Sequence, residues 1–181
     1  MSTTCMFVPS PLGDILLRAE DDALTGLFFV GQKYFPAMDA ASVAPRCTSP
    51  DEFPRALPRV LRDAQMQLVE YFAGERHAFT LPLRPRGTSF QRSVWDQLVR
   101  IPYGEIESYG RIARRLGLAA GSARAVGAAN GRNPVSIVVP CHRVISSAGD
   151  LTGYAGGLHR KQALLSLERP ESVQQQQIAL L

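Results

Sequence analysis

The chain has 181 residues, 45% of them hydrophobic and 20% charged, with a formal net charge of +4. That is enough chain for one compact domain, or for a small domain docked on a second, and the balance is that of a globular protein. No apolar run approaches the ~20 residues that span a bilayer and no basic-then-apolar leader opens the chain, so a cytoplasmic protein that is mature as written, with no membrane partner, is expected.

Residues 1–35 read as β structure. Ile15-Leu16-Leu17 and the run Leu24 to Val30 are strand candidates, separated by the acidic turn Glu20-Asp21-Asp22 and preceded by the turn Pro11-Leu12-Gly13-Asp14. A small antiparallel sheet is expected. Asp39 to Pro54, rich in Ala, Ser and Pro and without a period, reads as an exposed loop. Arg55 to Phe72 then reads as a helix, with Leu57, Leu61, Ala64, Leu68 and Phe72 on the face that packs on the sheet. Pro58 is tolerable only in its first turn, and Gly74 ends it. Phe79 to Leu83 reads as a short strand, and Arg84-Pro85-Arg86-Gly87 as the boundary of an N-terminal domain spanning 1–87.

The second domain, 88–169, opens with Thr88 or Ser89 as an N-cap and a helix carrying Phe90, Val94, Leu98 and Ile101 inward, with Trp95 in the core. Pro102-Tyr103-Gly104 breaks it. Ser108 caps a helix with Ile112, Ala113 and Leu116 inward; Gly117 to Gly121 turns; Ser122 caps a further helix to about Ala129. Helix, Gly-containing turn, helix is the helix-turn-helix pattern, which many proteins use for packing alone. The second helix is built of small residues, Ala123, Ala125, Gly127, Ala128 and Ala129, which allow close approach to a surface, and places Arg124 in a first turn where the helix dipole disfavours a cation. The run Val135 to Val139 reads as a buried strand that Pro140 stops. Ser146 to Asp150 reads as a loop or hairpin, and Gly153 to Gly157 as a glycine-rich loop bearing Tyr154, suited to close approach to a flat ligand. A last helix is expected over His159 to Glu168, with Leu158, Leu164, Leu165 and Leu167 partly buried, and a frayed tail over 170–181.

Cys5, Cys47 and Cys141 are too few and too scattered for a disulfide framework, and without C-x-x-C a zinc site is not expected. They fit a reducing compartment. Cys141 is the one with chemistry beside it: His142 and Arg143 follow at once, groups that favour the thiolate, the nucleophilic form. A nucleophilic thiol needs a base in reach and a group that orients the base. His142 is adjacent, although neighbours in sequence can point apart and then need a bridging water.

Pro140-Cys141-His142-Arg143-Val144 resembles the active-site signature of the O6-alkylguanine-DNA alkyltransferases, also called methylated-DNA–protein-cysteine methyltransferases. The resemblance extends through Ser122 to Gly127, Asn130 to Pro134, Thr152 to Gly157 and Lys161 to Glu168, covering roughly Thr88 to Glu168, while the first part of the chain looks like the variable N-terminal domain of bacterial members. It implies an α+β protein: a small N-terminal antiparallel sheet with a helix, then a mostly helical domain with the helix-turn-helix and the active Cys. It implies double-stranded DNA containing O6-alkylguanine as partner, more weakly O4-alkylthymine, a flipped-out nucleotide, and one irreversible transfer to Cys141 by a monomer with no cofactor and no metal.

The same resemblance assigns roles. Glu168 orients His142, which activates Cys141 through a water. Asn133 braces the active-site turn, against the plain alternative of a turn residue. Tyr109 supports the leaving guanine. Arg124 enters the duplex where the nucleotide was, with Ala123, Ala125 and Gly127 against the minor groove. The backbone up to Val144 reads the guanine edge, and Tyr154, Ala155 and Gly156 cover the extruded base. Ile106-Glu107 stands where most bacterial relatives carry Thr-Arg, which bears on DNA affinity rather than on the reaction. Three rivals have discriminators: a lesion binder without transfer, which the presence of Cys141 opposes; a regulator, which would bind a sequence irrespective of damage; and a cysteine hydrolase, which would turn over repeatedly.

Overall fold

The computed structural model describes residues 3–49, 51 and 53–169, so the tail expected over 170–181 lies outside the described residues. Three strands, β1 (Thr3–Val8), β2 (Ile15–Glu20) and β3 (Ala23–Phe29), form an antiparallel sheet in that order. Alternation assigns its faces. Met6, Val8, Ile15, Leu17 and Ala19 point into the main core, whereas Cys5, Leu16 and Phe28 form a small cluster on the other side, covered by Phe35 and Val43. Asp21 takes a left-handed conformation (φ 53°) in the tight β2–β3 turn, which a short polar side chain tolerates.

The segment over Asp39 to Pro54 is less open than its composition suggests. It includes a short 3-10 turn (Ala40–Ser42), a bridge from Val43 to Cys5, and a buried Cys47. Helix α1 (Arg59–Phe72) starts four residues later than expected, with Pro58 at its N-cap. It buries Val60, Leu61, Ala64, Leu68 and Tyr71 toward the sheet; Tyr71 takes the fully buried place expected of Phe72. The strand expected over Phe79 to Leu83 is a single bridge, Leu83 beside Leu24, with Leu24 N–H donating to Pro82 O at 2.8 Å.

Helix α2 (Ser89–Leu98) begins in a capping box: Gln91 N–H donates to Thr88 Oγ1 and Thr88 N–H to Gln91 Oε1. Trp95 is in the core, its indole N–H donating to Ala129 O at 2.9 Å. A two-residue strand β4 (Glu107–Ser108) precedes α3 (Tyr109–Arg115), which Ser108 caps, and α4 (Ala123–Gly131) follows the turn. Ser122 occupies the N-cap of α4 but makes no capping bond, because its backbone is already helical (φ −71°, ψ 0°) and its oxygen cannot reach back. Strand β5 (Val144–Ile145) pairs in parallel with β4, which sets the start of the helix-turn-helix beside the Cys141 segment. Helix α5 (Leu158–Glu168) buries Leu164 and Leu165, while Leu158 is 49% exposed rather than partly buried.

The run Val135 to Val139 is not a strand. It makes one bridge to the sheet, where Leu27 N–H donates to Pro134 O (2.8 Å) and Ser136 N–H to Leu27 O (3.0 Å), and then folds on itself through Val139 N–H to Val135 O (3.0 Å). Ile137 sits at φ +70°, a strained region for a β-branched residue. Periodicity could not separate a buried strand from a buried irregular segment. The core runs continuously from the sheet through α1 to α5, and no helix among the described residues is long and apolar enough to cross a membrane. Replacing Thr88 by Ala removes one half of the capping box, and we expect it to cost about 1 kcal/mol, read as a lower urea midpoint at an unchanged slope.

Candidate active site

Pro140 turns the chain into a 3-10 turn, Cys141–Arg143, that ends in β5. The turn exists because its ladder partners are replaced by one side chain. Asn133 Nδ2 donates to Val139 O (2.8 Å) and to Cys141 Sγ (3.1 Å), while Asn133 Oδ1 accepts Val135 N–H (3.0 Å). Asn133 is therefore more than a turn residue. Asn130, one helical turn before it on α4, donates to Cys141 O at 3.3 Å.

Cys141 is 3% exposed. Burial pushes its thiol up to about 11, against the Asn133 hydrogen bond and the Lys161 charge, which pull it down. The resting group is thus a thiol. His142 and Arg143, expected to favour the thiolate, do so little directly, because both turn away toward Glu168.

Glu168, at the end of α5, collects five hydrogen bonds: Oε1 accepts His142 Nε2 (2.9 Å), Tyr71 OH (2.7 Å) and Arg143 Nη2 (3.0 Å), and Oε2 accepts Arg143 Nε (2.8 Å) and Gly104 N–H (3.3 Å). Arg143 Nη1 goes on to Ile101 O at 2.6 Å. Burial would raise the Glu168 carboxyl, but the bonds from His142 and Arg143 and the Arg143 charge win and hold it well below the usual carboxylate range. Burial lowers His142, more than Glu168 raises it, so the imidazole is neutral at pH 7. A carboxylate only accepts, so the His142 proton is on Nε2 and Nδ1 carries a lone pair. Nδ1 is buried and has no partner among the described residues.

The cation nearest the thiol in effect is Lys161. It is fully buried, donates to Val144 O (2.6 Å) and Thr152 O (2.7 Å), and is lowered by burial to about 8. Tyr109 OH donates to the same Thr152 O at 3.1 Å. The Tyr154 hydroxyl is buried near Ser136, with neither making a hydrogen bond of good geometry, and burial, followed by the proximity of Cys141, raises its phenol well above the ordinary value. Val144 N–H is committed to Cys141 O, so its main chain keeps only the second lone pair of its carbonyl. Ala155 O accepts Lys33 N–H and Gly156 O accepts Arg160.

The fold thus brings Cys141, His142, Glu168 and Asn133 together and sets Tyr109 and Tyr154 at their edge. Arg124 and Ala125 are exposed on α4, with Ala123 and Gly127 half-buried, apart from the thiol cluster. Glu107 is buried between Arg111 and Arg115 of α3, each at 3.1 Å. Sequence reasoning missed Tyr71, Lys161, Asn130 and the pairing of Arg143. A lysine on the buried side of the last helix was the one available signal; Tyr71 is 97 positions from Glu168 and gave none.

Residues 4–85 match the family model of the 6-O-methylguanine DNA methyltransferase ribonuclease-like domain, and residues 89–170 that of the 6-O-methylguanine DNA methyltransferase DNA binding domain. A methylated-DNA–protein-cysteine methyltransferase of Mycolicibacterium paratuberculosis is 52% identical over 165 residues, covering 91% of this chain and 92% of the relative. A constitutive one of Bacillus subtilis is 43% identical, covering 88% and 92%. The crystal structure of the Mycobacterium tuberculosis O6-methylguanine methyltransferase superposes with a TM-score of 0.78 at 43% identity, covering 93% of each chain, and that of the M. tuberculosis protein in complex with DNA with 0.77 at 44%, covering 92% and 93%.

Glu168→Gln removes the charge that compensates buried Arg143, and we expect a loss of roughly 3–5 kcal/mol at neutral pH. A depressed carboxyl contributes stability that is full above its unfolded value of about 4.3 and is lost as pH falls toward its folded value. The difference between wild type and variant in urea melts should therefore shrink below about pH 4; a difference independent of pH would contradict the assignment.

Proposed function

Because the chain belongs to the 6-O-methylguanine DNA methyltransferase family, we propose that the cluster around Cys141 is its alkyl acceptor site and that O6-alkylguanine in double-stranded DNA is its substrate. The coarse activity is that of the family: methyl transfer from methylated DNA to a protein cysteine, a direct repair of DNA. The observation that carries the finer reading is the buried thiol held by Asn133 beside a neutral histidine whose Nδ1 is unpartnered.

The steps follow from that geometry. His142 Nδ1 takes the Cys141 proton through a water, and the imidazolium formed is stabilised by Glu168. Sulfur attacks the alkyl carbon in line, the S–C bond forms and the C–O6 bond breaks, and its electron pair remains on guanine. The Tyr109 hydroxyl turns from Thr152 O to donate a hydrogen bond to that anion at the purine ring, with the Lys161 ammonium 6.0 Å from the Tyr109 ring centroid to steady the charge. The Val144 carbonyl accepts from the guanine edge, and Tyr154, Ala155 and Gly156 wall the pocket. The product is a thioether, a poor leaving group, so each molecule acts once. O4-alkylthymine, with the same exocyclic oxygen on a smaller ring, is the weaker substrate.

A thiol this deeply buried cannot meet O6 inside a base stack, so the nucleotide has to leave it. The exposed face of α4 suits that extrusion. Ala125 and Ala128 allow a close approach to the minor groove, with Ala123 and Gly127 beside them, and Arg124 fills the gap in the stack. We divide the chain into an N-terminal domain, 1–87, and a C-terminal domain, 88–169, a reading supported by the separate family matches over 4–85 and 89–170. The protein works as a monomer, since one chain supplies every group named, and its three free cysteines suit the cytoplasm.

The test is intact mass after mixing with a duplex carrying O6-methylguanine. We expect a gain of one methyl per chain, absent in Cys141→Ala; a second equivalent, or a gain in the variant, would refute the assignment. Arg124→Ala should reach the same final mass about tenfold more slowly, a loss of ~1.4 kcal/mol in the barrier step. The wild-type rate constant should be flat near pH 7 and fall on the acid side of the ordinary histidine value of about 6.5, because His142 must be neutral to accept the proton.

A further inference from the structure

Arg160 is the third residue of α5, where the helix dipole disfavours a cation, and among the described residues its guanidinium meets carbonyls rather than carboxylates. Nε donates to Leu12 O in the β1–β2 turn (2.9 Å), Nη1 to Gly156 O (3.1 Å), and Nη2 leans on Val30 O just past β3 (3.4 Å). The group lies over the Phe29 ring, 4.7 Å from its centroid. Gly13, at φ +102°, leaves room for it; a Cβ there would stand 3.2 Å from Nη2. Gly156 is layered between two rings, since a Cβ on it would meet Tyr154 at 2.7 Å and Phe29 at 3.2 Å. A second strap, Lys33 N–H to Ala155 O (2.9 Å), ties the same loop to the segment after β3. The neighbouring Lys161 points the other way, into the thiol site.

We propose that Arg160 is a positioning residue for alkyl transfer: it fastens Gly156 to the N-terminal sheet and thereby fixes Tyr154, one wall of the thiol pocket, before substrate arrives. The inference rests on the reading of Cys141 as alkyl acceptor. The loop from Leu151 to Gly157 has three glycines and no helix or strand of its own, so its own backbone does not define one conformation. Three carbonyls from three segments, drawn to one planar cation, do define it. The N-terminal sheet is in this way part of the reaction site without supplying a reacting group.

Single-turnover kinetics separate this role from a merely structural one. The full chain is mixed with excess O6-methylguanine duplex, quenched over time and read by intact mass, for wild type, Arg160→Ala and Arg160→Lys. Misplacing a reacting geometry by about 1 Å costs up to a hundredfold, so Arg160→Ala should lower the maximal rate constant about ten- to a hundredfold. Its final amplitude and half-saturating duplex concentration should match wild type, with Arg160→Lys in between. A rate constant equal to wild type, or a loss confined to amplitude, overturns the proposal. Should the Ala variant not fold, the Lys variant decides by the same two criteria. Wild type gaining no methyl at all overturns the reading of Cys141, and this inference with it.

Discussion

The site depends on one buried carboxylate. An isolated ion at the place of Glu168 would cost several kcal/mol of desolvation, and Arg143 offsets it with two parallel N–H···O bonds. Together they are a neutral unit. That neutrality decides the state of His142: protonating it would place a net charge in an interior that already holds Lys161, so burial keeps it neutral despite the carboxylate beside it. The carboxylate then decides the tautomer, because it can only accept. A base with its lone pair on Nδ1 is the consequence of these two constraints, and Tyr71 and Gly104 complete the cradle from outside the Cys141 segment.

A thiol near 11 at first looks unfit to be a nucleophile. Two effects point the other way. Intrinsic sulfur nucleophilicity rises with pKa, so the anion formed in the proposed transfer is a strong one. Burial also keeps the neutral thiol from oxidants and from wrong electrophiles, which matters for a group that the proposed transfer consumes. For the proposed transfer the site offers stabilisation of charge as it develops: an Asn133 N–H at 3.1 Å from sulfur, the Lys161 ammonium, and a histidine to receive the proton. Lys161 itself is lowered by burial only to about 8, so it remains mostly charged at neutral pH, its ammonium donating to two carbonyls.

Local chemistry was legible in the sequence where it is local in space. Thr88 and Ser108 cap helices because their oxygens reach N–H groups three residues on, and Trp95 is core because its helix has one apolar stripe. The Cys-His-Arg triplet was equally visible as a reactive motif. The failures have two causes. Val135 to Val139 has strand composition, yet Asn133 intercepts the carbonyl that a ladder would use and Ile137 is turned to positive φ. Arg143 looked like a field on the thiol, but its partner is 25 positions away. Ser122 has the right side chain for a cap and the wrong backbone. The Arg143 outcome is decided by a contact far along the chain and the other two by local backbone geometry, and composition and periodicity encode neither.

The long-range contacts also explain why a sheet with no reacting group accompanies the reactive half. The segment before Pro140 has no regular structure of its own to hold it, and it carries strain at Ile137. Strain of this kind, of order 1–3 kcal/mol, persists only where the surroundings over-determine the backbone. The edge of β3 supplies part of that determination through both main-chain groups of Leu27, α1 supplies Tyr71 to the carboxylate, and the turns at Leu12 and Val30 hold Arg160. Three independent attachments, to the strained segment, the base's carboxylate and the glycine loop, meet around one thiol. Their separation matters: two come from the sheet and its turns and one from α1, so loss of any one leaves the other two in place.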